Sequence, residues 1–196
     1  MPPRGDHDAR RRDVSEAVWR VLADRGFGGL TLRAVATEMD ASTGLLTHYF
    51  PNKKALVAHA LDLADEHTAN RRLRDAPGDG LTALRAALLD VLPLTPASAA
   101  MNRIWVGSWD GALADPDLTA REKRRYEHWR DRLRTHVTTA AAQGELPASS
   151  DIEGLVDTVA AFAHGLVVQA LFDPARFPAA RQTKILDDFL NHLTPR

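Results

Sequence analysis

Thr31-Leu32-Arg33-Ala34-Val35-Ala36-Thr37-Glu38-Met39, a break at Asp40-Ala41-Ser42, and then Thr43-Gly44-Leu45-Leu46-Thr47-His48-Tyr49-Phe50 form the stretch that decides the fold. Thr31 can cap a short helix whose inner face is Leu32, Val35, Ala36 and Met39. A second short helix carries Leu45, Leu46 and Tyr49, and Phe50-Pro51-Asn52 stops it. Before both runs a longer helix with Val14, Ala17, Val18, Val21 and Leu22 on one side, which Gly26 can end. Two short helices joined by a tight turn and backed by a supporting helix describe a helix-turn-helix unit.

The outward residues of that second short helix are Thr43, Thr47 and His48. Hydroxyls and an imidazole suit phosphate oxygens or base edges, and Gly44, without a Cβ, lets a base or phosphate approach the backbone. Lys53 and Lys54 then open a fourth helix, capped by Asn52, with Leu56, Val57, Ala60, Leu61 and Ala64 on one side. Positive side chains sit badly with the dipole at that helix end unless an anion such as phosphate compensates.

Leu32 to Met39 together with Ser42-Thr43-Gly44-Leu45-Leu46-Thr47-His48-Tyr49-Phe50-Pro51-Asn52-Lys53-Lys54-Ala55-Leu56 resembles the DNA-binding domain of the tetracycline-repressor (TetR) family. The resemblance is dense over about residues 10–60. It implies that Thr31, Thr43, Tyr49 and Lys53 fall where the family contacts DNA, with Gly44 as its glycine. Arg33, Ser42, Thr47, His48 and Lys54 complete the candidate DNA-binding set. Many members carry Tyr where this chain has Thr47, so an aromatic contact is not carried over to that position. Downstream, Leu84 to Leu94, Tyr126 to Leu133, Gly144-Glu145-Leu146-Pro147 and His164-Gly165-Leu166 are similar to the betaine-synthesis (BetI-type) repressor subgroup.

The rest of the chain is also helical in its periodicity. A break at Pro77-Gly78-Asp79-Gly80 precedes a fifth helix through Leu92, a sixth over about 97–114, a seventh from Asp115-Pro116 to Gly144, an eighth from Asp151 through Phe172, and a ninth with Ile185, Leu186, Phe189, Leu190 and Leu193 on its inner stripe. No stretch alternates with period two for long enough to make a strand. The expected fold is all-α, about nine helices. Residues 1–55 are expected to form the DNA-binding domain, with a disordered arm over about 1–8, and residues 56–196 a ligand-binding and dimerisation domain.

Composition narrows the function. The chain has 196 residues, 44% hydrophobic and 26% charged, with net charge -1 and no cysteine. That is a globular profile, and a uniformly basic coat for nucleic acid is excluded, as are disulfides, thiolate nucleophiles and Cys-ligated metals. Residues 1–60 hold nine Lys/Arg against seven Asp/Glu, so the N-terminal third is mildly cationic. No apolar run approaches the ~18–20 residues of a membrane span, the N-terminus lacks a signal peptide's apolar stretch, and a reducing, cytoplasmic compartment fits.

The eighth helix is apolar on more than one face, which calls for a partner; the family resemblance likewise implies a four-helix dimer interface. Its candidate residues are Leu155, Val159, Phe162, Leu166, Gln169 and Ala170, with Ile185, Phe189 and Leu193. A ligand pocket is expected among the fourth to eighth helices, lined by Met101, Trp105, Trp109, Phe162, Tyr126 and Trp129. Aromatic faces near Asp110 could hold a choline-like or polyamine-like cation. The expected partners are thus a palindromic double-stranded operator, a small-molecule inducer and a second copy of the chain, with no membrane and no cofactor.

Enzymatic readings fare poorly. His59, Asp62, Glu66 and His67 superficially resemble a metal site, but no Glu-x-x-His partner helix completes it. Gly107-Ser108-Trp109-Asp110-Gly111 lacks the context of a nucleophile elbow. A constitutive architectural DNA binder would need no pocket, and the near-zero net charge argues against it.

Overall fold

The computed structural model describes residues 4–69 and 78–194. Among these it contains nine helices and no strand: α1 (Arg4–Gly29), α2 (Leu32–Glu38), α3 (Thr43–Tyr49), α4 (Lys53–Ala69), α5 (Gly80–Val91), α6 (Pro96–Ala114), α7 (Pro116–Ala142), α8 (Ile152–Phe172) and α9 (Ala179–Asn191). The all-α expectation holds. Residues 4–8, expected as part of a disordered arm, lie within α1, and residues 1–3 fall outside the described residues. The expected break near Pro77 likewise lies partly outside them.

Two compact units make up the chain: residues 1–71 with 103–111, and residues 72–102 with 112–196. The division differs from the boundary expected at residue 55, because α4 belongs wholly to the first unit. The physical reason is its inner face. Leu56, Ala60, Leu61 and Ala64 are fully buried, as are Val14, Ala17, Val18, Val21 and Leu22 of α1, and the two helices pack together. Burying each such leucine contributes about 2 kcal/mol. The backbone of α1 leaves the helical region at Gly26, with φ 62°, the left-handed value a glycine accepts without strain.

Local chemistry sets the short helices. Thr31 Oγ1 accepts from the Ala34 N–H at 3.0 Å and caps α2; Ser42 Oγ accepts from Leu45 N–H at 3.3 Å and caps α3. Between them α2 ends in a Schellman turn: Ala41 N–H donates to Ala36 O and Asp40 N–H to Thr37 O, with Asp40 at φ 50°. The same closure ends α7, where Gly144 takes φ 73° and Glu145 N–H donates to Ala140 O. Asn52 Oδ1 accepts from Ala55 N–H at 2.9 Å, as its position before α4 predicts.

In the second unit α7 packs on α5 and α8, and α9 on α5 and α8. Ion pairs tie these helices: Arg85 to Asp187 at 2.5 Å, Arg134 to Glu153 at 2.6 Å and Arg130 to Asp157 at 2.8 Å. The inward face of α8 is Val156, Val159, Ala160, Ala163, Leu166, Val167 and Ala170. This helix is long and apolar enough, by length and composition, to cross a membrane, contrary to the expectation that no run reaches that length. Its buried face instead forms core.

Candidate nucleic-acid interface

The helix-turn-helix geometry follows from one-sided burial. In α2, Val35 and Ala36 are buried; in α3, Leu46 is, with Phe50 buried at its end. Leu45 and Tyr49 are only half-buried. Opposite this face Ser42, Thr43, Gly44, Thr47 and His48 are exposed, as are Thr31 at the cap of α2, Arg33 on α2, and Lys53 and Lys54 at the start of α4. Every candidate DNA-binding residue therefore falls in the first unit, and all but Tyr49 are solvent-exposed. The hydroxyls differ in what they already do. Thr31 and Ser42 accept cap bonds, and the Thr47 hydroxyl donates to Gly44 O at 2.9 Å. A Cβ added to Gly44 would meet nothing closer than Ser42 Oγ at 3.7 Å, so no contact inside the chain requires glycine there.

The platform behind this surface is clamped by residues outside the candidate DNA-binding set. Arg20 Nε of α1 donates to Glu38 Oε1 at the end of α2, 2.7 Å. His59 and Ser15 join α4 to α1 at 3.0 Å, and Trp19 stacks face to face on His67 with centroids 3.7 Å apart. These partners account for the two histidines of the superficial metal pattern. Among the described residues no cluster of three or more His, Cys, Asp or Glu could hold a metal ion.

The expected pocket residues are spread over both units. Trp105 and Trp109 belong to the first, where the buried Trp105 donates through Nε1 to Thr68 Oγ1 at 3.3 Å. Met101, Tyr126, Trp129 and Phe162 belong to the second. There Tyr126 and Trp129 meet edge-on at His164, with centroids 5.0 and 4.7 Å away. Burial first, then the Arg125 charge, pushes His164 down to about 4. Arg125 already lies over the Tyr126 ring at 4.8 Å and pairs with the buried Glu122 carboxylate at 2.8 Å. A resident cation thus occupies one face of the Tyr126 ring, while the faces near Asp110 expected to hold an external one belong to Trp105 and Trp109 of the first unit. Phe162 is not with this group; it points the other way and stacks on Phe189 at 3.9 Å.

The dimer candidates also divide. Val159, Leu166 and Ala170 are buried within the chain's own core and are unavailable to a partner. Leu155, Phe162, Ile185 and Phe189 are half-buried, Gln169 is exposed, and Leu193 lies in the turn after α9 instead of on its stripe. Helix α8 has an inward and an outward stripe about 165° apart on a 3.6-residue helix, and burial distinguishes them. The outward one runs through Ala161, Gly165, Gln169 and Phe172, the last 82% exposed.

Residues 15–60 match the model of bacterial regulatory proteins of the tetR family, and residues 81–195 match that of the BetI-type transcriptional repressor C-terminal domain. The chain belongs to the TetR family and carries a BetI-type C-terminal domain. It is 28% identical to the transcriptional regulator BetI of Burkholderia thailandensis, covering 98% of this chain and 97% of that one. It is 26% identical to the regulator PksA of Bacillus subtilis, over 95% and 90%. A regulator from Saccharomonospora viridis, solved in complex with choline, shares the fold with a TM-score of 0.81 at 22% identity, over 96% of this chain and all of that one, 100%. As a TetR-family, BetI-type protein the chain is a DNA-binding transcriptional regulator and not an enzyme.

Proposed function

We propose that the protein is a homodimeric repressor that reads a palindromic operator in the cytoplasm and is released from it by a small-molecule inducer. The observation that carries the reading is the exposed face of α3, where Thr43, Gly44, Thr47 and His48 lie side by side above the buried Leu46, with the exposed Lys53 opening α4 after it. Small and hydroxyl-bearing residues let a helix enter the major groove, and the lysine reaches the flanking phosphate. Gly44 weakens a seven-residue helix for no internal reason, which fits close approach by a partner.

Dimerisation is supported by the outward stripe of α8, small at Ala161 and Gly165 and apolar at the exposed Phe172, and by the Phe162–Phe189 pair beside it. A two-fold dimer would present two α3 helices about 34 Å apart, the spacing of successive major-groove faces. An inducer can release such a dimer only by its differential affinity for the two states. Choline, the ligand of the Saccharomonospora viridis regulator, is the first inducer to try, although the Arg125 already seated on Tyr126 favours an inducer with hydrogen-bond acceptors or negative charge over a quaternary ammonium at that spot. Footprinting on the DNA upstream of the protein's own gene tests the reading. A protected palindrome that is lost on adding an inducer is the expected result; uniform protection of unrelated DNA would refute it.

A further inference from the structure

Three elements of the first unit meet at one side chain. His59, half-buried on α4, places Nε2 at 3.0 Å from Ser15 Oγ of α1. Its ring also lies against the Phe50 ring, with centroids 5.2 Å apart and planes tilted by 38°. Phe50 is the residue that ends α3: its N–H donates to Leu46 O at 2.8 Å and its side chain is buried. The two ends of α3 are therefore held differently. Its start is fixed within its own turn by Ser42, whereas its last residue is fixed by a ring on another helix. That ring is itself aimed by a hydroxyl on a third. A shift of α4 along α1 cannot leave Phe50 where it is without breaking either the hydrogen bond or the ring contact.

We propose that His59 is a positioning residue that sets the recognition helix, passing the placement of α4 to Phe50 and so to the exposed residues of α3. The inference rests on the DNA-binding reading of α3. The charge around the ring fits a neutral imidazole. Burial lowers its pKa, Arg11 on α1 lowers it further, and Asp62 and Glu66 on α4 oppose. Ser15 and Phe50 add no charge. Protonation would bring a cation into a half-buried contact built for a neutral ring.

The test compares H59A, H59Q and S15A in the full-length chain by amide hydrogen exchange and by operator affinity. Glutamine puts its amide near the place of Nε2, so it keeps the polar contact without titrating. H59A is expected to exchange about tenfold faster at Leu46 to Tyr49 and to bind operator about tenfold more weakly, with Leu84 to Leu89 of α5 unchanged. H59Q should recover most of the loss, and S15A should lose part of it. As the pH falls below 6.5 the wild type should lose affinity relative to H59Q. A lower melting temperature for H59A with unchanged α3 exchange and unchanged affinity of the folded protein would overturn the proposal, as would failure of H59Q to rescue. A wild type that leaves no specific footprint overturns the DNA reading itself, an outcome distinct from a wild-type footprint that H59A leaves intact.

Discussion

The Glu145 carboxylate accepts a hydrogen bond from the Leu81 backbone N–H at 2.8 Å, across 64 residues of sequence. It caps the start of α5, where Asp79, the residue in the cap position, makes no side-chain bond. Between them Gly80 takes φ 57°, and a Cβ there would run into the Glu145 carboxylate and Gln143 Oε1. Glu145→Ala should therefore cost about 1–2 kcal/mol, the value of a lost cap. Gly80→Ala should cost at least as much, because it strains the backbone and evicts the same carboxylate. Urea denaturation of both variants checks this, and a Gly80→Ala protein as stable as the wild type would contradict the geometry.

Gly44 lets stability and function be pulled apart. Since a Cβ there meets only Ser42 Oγ at 3.7 Å, Gly44→Ala should leave the fold intact and raise its stability by about 0.5–1 kcal/mol. If a duplex approaches this point of α3, the same methyl should weaken operator binding. Melting and mobility-shift measurements on one preparation decide it: unchanged affinity would remove Gly44 from the interface.

Lys53 and Thr43 separate affinity from specificity. Lys53→Ala should weaken binding to operator and random DNA alike and flatten the slope of log affinity against log salt by about 1, the loss of one phosphate contact. Thr43→Val should instead alter preference at particular base pairs, by about 1–3 kcal/mol at the affected pair. Titrations on the operator and on singly substituted versions distinguish the two. Neither variant having any effect would exclude α3 as the reading helix.

These predictions lean on parts of the molecule that were unequally legible in the sequence. The helix-turn-helix was readable because its determinants are local: caps at Thr31, Ser42 and Asn52 act within three residues, and Leu46 and Val35 follow a helical period. What joins distant segments was not. The Glu145 cap on α5, the Arg20–Glu38 clamp and the His59–Phe50 contact depend on which surfaces meet, and residue spacing carries no record of that. On α8 the difficulty was different. Its apolar residues cover more than one face, so the pattern pointed to a second covered face without saying that Val159, Leu166 and Ala170 serve the chain's own core. Phe162 fits both a pocket and a dimer face by its sequence position, and its stack on Phe189 puts it beside the outward stripe.

His164 makes the second unit acid-sensitive. Burial and the charges of Arg125 and Arg130 hold it at about 4, against 6.5 for a histidine in an open chain. Between those values the unfolded chain binds a proton that the folded one refuses. Its contribution is therefore intact above pH 6.5 and is lost progressively as the pH falls toward 4, by about 3 kcal/mol in all. His59 and His136, both lowered by burial, act in the same direction. The difference between wild type and His164→Gln isolates one residue from the others. Denaturation midpoints at several pH values should converge with acidification as the wild type loses what the variant never titrates. Parallel curves would show that the ring is not held neutral.

Gly165 offers the cleanest test of the dimer face. It lies on the outward stripe of α8 between Ala161 and Gln169, and a Cβ there meets nothing within 4 Å. Gly165→Arg consequently costs the isolated chain nothing in packing and should strengthen the helix by about 1 kcal/mol, since arginine is the better helix former. If two copies close α8 against α8 across this stripe, the same side chain brings two guanidinium groups together in a space that fits none. The dimer dissociation constant should then rise by about a hundredfold or more, and operator affinity should fall with it because each half-site is bound singly. Sedimentation equilibrium at micromolar concentration reads the first effect and mobility shift the second. A variant that is more stable, still dimeric and still bound to its operator would show that the outward stripe of α8 serves some other contact.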